Sequence, residues 1–146
     1  MNSPKKHLSQ KLIMVVVALL AINFVYTGLR YIFEPAVVAA EFGMPLLDGL
    51  GRSSQIGDLA SFFMSGGIFL LLGLKTGKHI WFYAGSILLG LTALSRILAW
   101  LLQDAMLATP LIVAEIVIAG ILLLAVKLLP EHPRNQGGSR QDKDST

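Results

Sequence analysis

Cysteine is absent from this chain, which removes disulfides, thiolate metal sites and cysteine nucleophiles from consideration. Charge is scarce as well. Only 14% of the residues are charged, against roughly a quarter in an ordinary soluble domain. His7, His79 and His132 lie in flanks or loops, without the spacing of metal ligands. There is no phosphate-cradling glycine loop and no nucleophile elbow. These gaps leave no expected catalytic residue, metal or cofactor.

Apolar residues are plentiful. They make up 54% of 146 positions, and the mean hydropathy is +0.67. A chain this short and this apolar has too little polar surface to stay in water. Its length points to one domain. The net charge is +3, but the basic residues flank apolar segments instead of forming a patch. That distribution points to membrane topology and away from nucleic acid.

Crossing about 30 Å of hydrocarbon takes about twenty apolar residues in a helix. Four segments qualify: Leu12 to Phe33, Ile56 to Leu74, Ile80 to Leu102, and Pro110 to Leu129. Each must be helical, because unpaired backbone groups in lipid cost several kcal/mol apiece. The expected fold is therefore all-α: an up-down-up-down four-helix transmembrane bundle over residues 12–129. Residues 1–11 form a cytoplasmic flank and residues 130–146 a disordered cytoplasmic tail.

The first segment follows Lys5, Lys6 and Lys11 like a signal peptide, but Asn23-Phe24-Val25 offers no small-x-small cleavage site. An uncleaved anchor is expected. One face of the membrane collects Lys5, Lys6, Lys11, Lys75, Lys78, Lys127, Arg134, Arg140 and Lys143. The opposite loops carry Glu34, Glu41, Asp48 and Asp104 against Arg52 alone. Both termini are thus expected in the cytoplasm. Trp81, Tyr83 and Trp100 fall near the expected boundaries, where aromatic belts form.

Local signals mark the helix ends. Thr109-Pro110 reads as an N-cap with proline at the first helical position. Gly73 and Gly77 frame a tight cytoplasmic turn. The first outer loop, Glu34 to Gln55, is the longest connection. Its start, Pro35 to Phe42, suits a short helix on the membrane surface that Gly43-Met44-Pro45 would break. A plain connector is the equal alternative.

Arg30, Asp58, Arg96 and Glu115 fall inside the apolar segments. A charge at mid-bilayer costs at least about 2.5–3.5 kcal/mol. Alternating helix directions put all four roughly 3–9 Å below the outer boundary, at about 1.5 Å per residue. Two bases and two acids in one layer are expected to pair, which lowers the desolvation cost. Arg96 is the favoured partner of Glu115. Asn23, Tyr26 and Thr27 continue the Arg30 face, and Thr92 the Arg96 face. Plainer readings stand beside this one. Asp58 at a helix start suits the dipole, Arg30 can snorkel, and Arg96–Glu115 can be a structural pair. Small residues four apart, Ser61 and Ser65, Ser86 and Gly90, Ser95 and Ala99, favour close helix packing.

Several stretches carry a resemblance. They are Gln55-Ile56-Gly57-Asp58-Leu59-Ala60 running into Gly66-Gly67-Ile68-Phe69, and Gly90-Leu91-Thr92-Ala93-Leu94-Ser95-Arg96-Ile97 followed by Asp104. Phe33-Glu34-Pro35, Phe42-Gly43-Met44-Pro45 and Glu115 add to them. Over residues 12 to 129 the chain resembles domain-of-unknown-function family 4345, small bacterial four-helix membrane proteins with a DoxX-like layout. Members commonly carry an arginine where this chain has Asp58-Leu59-Ala60. The resemblance implies a multi-pass protein of the bacterial inner membrane and no particular activity.

Three functional readings follow. The first is a non-enzymatic accessory or binding protein, whose outer-leaflet polar pocket accepts a lipid, quinone or other amphiphile. Arg30, Asp58, Arg96 and Glu115 would set its polarity, with Asn23, Tyr26, Thr27 and Thr92 as lining. The second is a packing subunit of a larger membrane complex or homo-oligomer. The third, an oligomeric proton-coupled carrier, meets few polar residues in the inner halves of the helices.

Overall fold

In the computed structural model residues 4–131 are described, and they form five helices with no strand among them. These are α1 (Pro4–Phe33), α2 (Pro35–Glu41), α3 (Gly49–Thr76), α4 (Ile80–Gln103) and α5 (Thr109–Leu128). Helices α1, α3, α4 and α5 are each long and apolar enough to cross a membrane. From residue 132 onward the expected tail lies outside the described residues.

Two helix starts differ from expectation. α1 begins at Pro4, well ahead of Leu12. α3 begins at Gly49, so its first turns are the polar run Gly49 to Gln55 and not part of the apolar segment. Apolar length marks where a helix enters lipid, while helical hydrogen bonding continues into the polar flank. At the start of α5, Ala108 is the cap residue, and Thr109-Pro110 occupy the first helical positions without a side-chain cap bond. Gly77 closes α3 in the left-handed conformation, its N–H bonded to the Gly73 carbonyl. Gly73 itself is buried within α3, beside the Phe82 ring, and not in the turn.

The helices pack in a ring of contacts: α1 on α3, α3 on α4, α4 on α5, and α5 back on α1. The α1–α3 seam is the closest. A Cβ on Gly28 would lie 2.9 Å from the Ala60 carbonyl oxygen, and one on Gly67 2.8 Å from that of Ala21. Only glycine lets these two backbones approach so far, which is how helices gain van der Waals contact in lipid. Val17, Ala21, Leu70, Phe82, Leu122 and Ala125 form the main core. A second cluster, Tyr31, Val38, Ala39 and Ala60, lies where α2 folds against α1 and α3.

Contacts also fix which ends lie together. Gln10 Nε2 donates to the Leu128 carbonyl at 2.8 Å. His79 Nε2 donates to the Leu129 carbonyl at 3.0 Å, a bond that sets the ring's tautomer because a carbonyl only accepts. The start of α1, the start of α4 and the end of α5 therefore meet at one end. Arg30, Arg96 and Glu115 lie toward the other.

Candidate functional site

Arg30 sits in the last turn of α1. Its guanidinium grips Glu41, the last residue of α2, through two hydrogen bonds of 2.9 and 2.8 Å. Its Nε reaches Glu34 at 3.4 Å, one helical turn further on. The Tyr26 ring lies beneath, 5.7 Å from the guanidinium carbon, a cation–π distance. Bidentate geometry is the strongest form of such a pair. The bonded guanidinium holds the Glu41 carboxyl below the usual carboxylate range. Arg30 is thereby committed to fastening α2 onto α1.

Beneath this fastening, Tyr31 is fully buried, and its hydroxyl has no hydrogen-bond partner. Its ring stacks with Phe42 and Phe63, at centroid distances of 6.2 and 6.3 Å. Val38 and Ala39 of α2 complete the apolar floor. Burying the underside of α2 and pairing its last residue with Arg30 are the two reasons this short helix stays docked.

The second pair is Arg96 of α4 with Glu115 of α5. Arg96 Nε donates to Glu115 Oε1 at 2.9 Å. The Arg96 side chain is 33% exposed and that of Glu115 10%. Two features are left over. The Arg96 terminal nitrogens Nη1 and Nη2 have no partner among the described residues, and Glu115 Oε2 is buried without one. The guanidinium thus spends one of five N–H donors on its acid and keeps a fork free.

The four charged residues do not converge as one quartet. Arg96 and Glu115 pair as expected. Arg30 pairs with Glu41 and Glu34. Asp58 lies exposed on α3 with no ion pair among the described residues. Because α3 starts at Gly49, Asp58 sits roughly two and a half turns inside it, too deep to complement the helix N-terminus. Glu41 was visible in the sequence only as one acid of the outer loop. The fold of α2 brings it back to Arg30, across eleven residues.

The expected lining fares unevenly. Asn23 is exposed, and Tyr26, 57% exposed, carries Arg30 on its face. Thr27 is half-buried. Thr92 returns its hydroxyl to the Leu88 carbonyl at 2.8 Å. Of the small pairs, Ser86 is buried and bonds the Ala119 carbonyl of α5 at 3.3 Å, whereas Gly90 faces open space. Tyr31 carried no sequence signal beyond being an aromatic late in an apolar segment.

Comparison with family models, with curated proteins and with solved structures found no match to this chain.

Proposed function

We propose that this chain is a non-enzymatic accessory protein that holds a lipid, quinone or other amphiphile at the outer leaflet of the bacterial inner membrane. It would form an up-down-up-down bundle with both termini cytoplasmic. The four apolar helices and the distribution of Lys and Arg between the loops support this setting.

One observation carries the binding reading. Arg96 is anchored by Glu115 yet presents a pair of terminal nitrogens that have no partner among the described residues. An ammonium or guanidinium kept near hydrocarbon costs several kcal/mol unless its donors are used. A ligand headgroup would use them. Arg30 has no such surplus, because Glu41 and Glu34 take up its fork and its Nε. The ligand would therefore sit on the α4–α5 side.

Native mass spectrometry from mild detergent tests this. The wild-type chain should retain a bound amphiphile, and Arg96→Met should lose it. Retention that is unchanged in Arg96→Met would count against the reading.

A second reading, a packing subunit of a larger complex or homo-oligomer, is favoured by one stripe. Ser54, Gly57, Asp58 and Ser61 recur at helical spacing on α3, and all are exposed. An acid facing outward from a spanning helix is stabilised by a covering chain. The same spectra would show such a chain as an added mass.

A further inference from the structure

Resting on the amphiphile reading, we propose that the ligand at Arg96 is an anion whose head group carries two oxygens on one centre, a phosphate or a carboxylate. Quinones and other neutral amphiphiles fall outside that class. The inference comes from the way this chain fills its own arginines.

Arg30 is the internal template. Its Nη1 and Nη2 close on the two oxygens of Glu41 at 2.9 and 2.8 Å, and its Nε meets a second carboxylate, Glu34, at 3.4 Å. Arg96 repeats half of that arrangement. Its Nε meets Glu115 at 2.9 Å, closer than Arg30 meets Glu34. No group among the described residues does for Arg96 what Glu41 does for Arg30. Arg52 gives Nε to the Leu47 carbonyl and Nη2 to Asp48. Among the described residues, Arg96 is thus the one arginine with both terminal nitrogens unmet.

The fork is within reach of a ligand. Among the described residues, the buried side-chain nitrogens and oxygens that lack a partner are the Tyr31 hydroxyl and Glu115 Oε2. Nη1 and Nη2 lack a partner too and are not among the buried atoms, so both have surface open to contact. The Arg96 side chain is 33% exposed. Glu115 Oε2 is sealed and takes no part. A ligand therefore meets two parallel N–H donors on a positive charge, which two oxygens of one phosphate or carboxylate match. A quinone is uncharged, and its carbonyls point apart across the ring, so it serves one nitrogen at most. An alcohol brings a single oxygen. Placement agrees: Arg96 lies seven residues before Gln103, the last residue of α4, about 10 Å along the helix. An arginine side chain there can extend toward the headgroup layer. Leu94 and Leu98 of α4 and Ile116 of α5, all exposed, offer apolar surface for a tail on the same two helices.

The test uses the full chain in a maltoside detergent with equal amounts of dodecyl phosphate, dodecanoate, dodecanol and a decyl benzoquinone. Bound mass is read by native mass spectrometry, and folding by circular dichroism. One charge-assisted hydrogen bond corresponds to roughly tenfold in retention. Wild type should keep the phosphate and the carboxylate over the alcohol and the quinone by that factor or more. Arg96→Lys keeps a cation beside Glu115 but has no fork, so it should lose most of that margin. Arg96→Met should hold none of the four. Should Arg96→Met fail to fold, Arg96→Met combined with Glu115→Gln, which strands no charge, takes its place.

Equal retention of all four by wild type, abolished by Arg96→Met, would overturn the anion inference and leave the amphiphile reading standing. A margin unchanged in Arg96→Lys would overturn the paired-oxygen grip in the same way. Retention indifferent to Arg96→Met would overturn both. Inorganic phosphate displacing dodecyl phosphate at equal concentration would identify the ligand as a soluble anion and overturn the amphiphile reading. A doubled protein mass that Asp58→Asn abolishes would give the fork to a carboxylate of a second copy, and would overturn both.

Discussion

Tyr31 and Glu115 each keep a buried oxygen without a partner, yet the two positions should answer mutation differently. The Tyr31 hydroxyl is enclosed by Phe42, Phe63 and the floor of α2. Removing an unsatisfied buried hydroxyl recovers its desolvation cost, about 1–3 kcal/mol when nothing compensates it. Tyr31→Phe should therefore leave unfolding in detergent unchanged or make the protein more stable by about 1 kcal/mol. A loss of about 2 kcal/mol or more would mean that the hydroxyl has a partner in the folded protein. Glu115 cannot be simplified in the same way, because its other oxygen holds Arg96. The Tyr31 ring packs against Phe42 and Phe63, and its hydroxyl is carried into the interior with it. For Glu115 the leftover oxygen belongs to a charged group, and leaving it unmet costs more than a neutral hydroxyl.

At the scale of helices, the α1–α3 seam and the α2 fastening make separate predictions. Gly28 and Gly67 each face a backbone carbonyl of the opposite helix, and backbone cannot step aside as a flexible side chain can. Gly67→Ala should cost about 1–3 kcal/mol in unfolding free energy, the usual penalty of overpacking. Gly90→Ala, on a face with nothing within 4 Å, should be neutral or gain up to about 1 kcal/mol from helix propensity. Equal effects at the two sites would remove the close seam from the account.

The α2 fastening should respond to acid. Glu41 titrates lower in the folded chain than in the unfolded one, because Arg30 bonds its charged form. Its contribution is therefore complete above the ordinary carboxylate range and disappears as pH falls through the lowered folded value. Hydrogen exchange of residues 35–44 should speed up over that acid window in wild type. Glu41→Gln should show fast exchange already at neutral pH. Protection of α2 that ignores both changes would show that Val38 and Ala39 hold the helix unaided.

The described residues form a closed ring of four long helices with one short helix folded against one end. The opposite end is tied by Gln10, His79 and the carbonyls of Leu128 and Leu129. Absence of native cysteine makes sidedness simple to measure. Leu50→Cys, at the start of α3, should react with an impermeant maleimide added to intact cells. Lys78→Cys, between α3 and α4, should react only after the membrane is opened. The reverse pattern would invert the proposed orientation.

Hydropathy alone determined how many helices are long and apolar enough to cross a membrane and placed most of their apolar stretches, because twenty apolar residues in a row have few alternatives to a membrane helix. It also marked Arg96 and Glu115 as partners, since charges this close to lipid must be neutralised by something near. Tertiary structure decided the rest. It gave Arg30 to Glu41, left Asp58 outside any ion pair among the described residues, and chose Gly28 and Gly67 for the tight seam over the serine pairs that spacing favoured. The reason is geometric: spacing along one helix says which residues share a face, but the rotation of that helix and the path of the connecting chain say what the face meets.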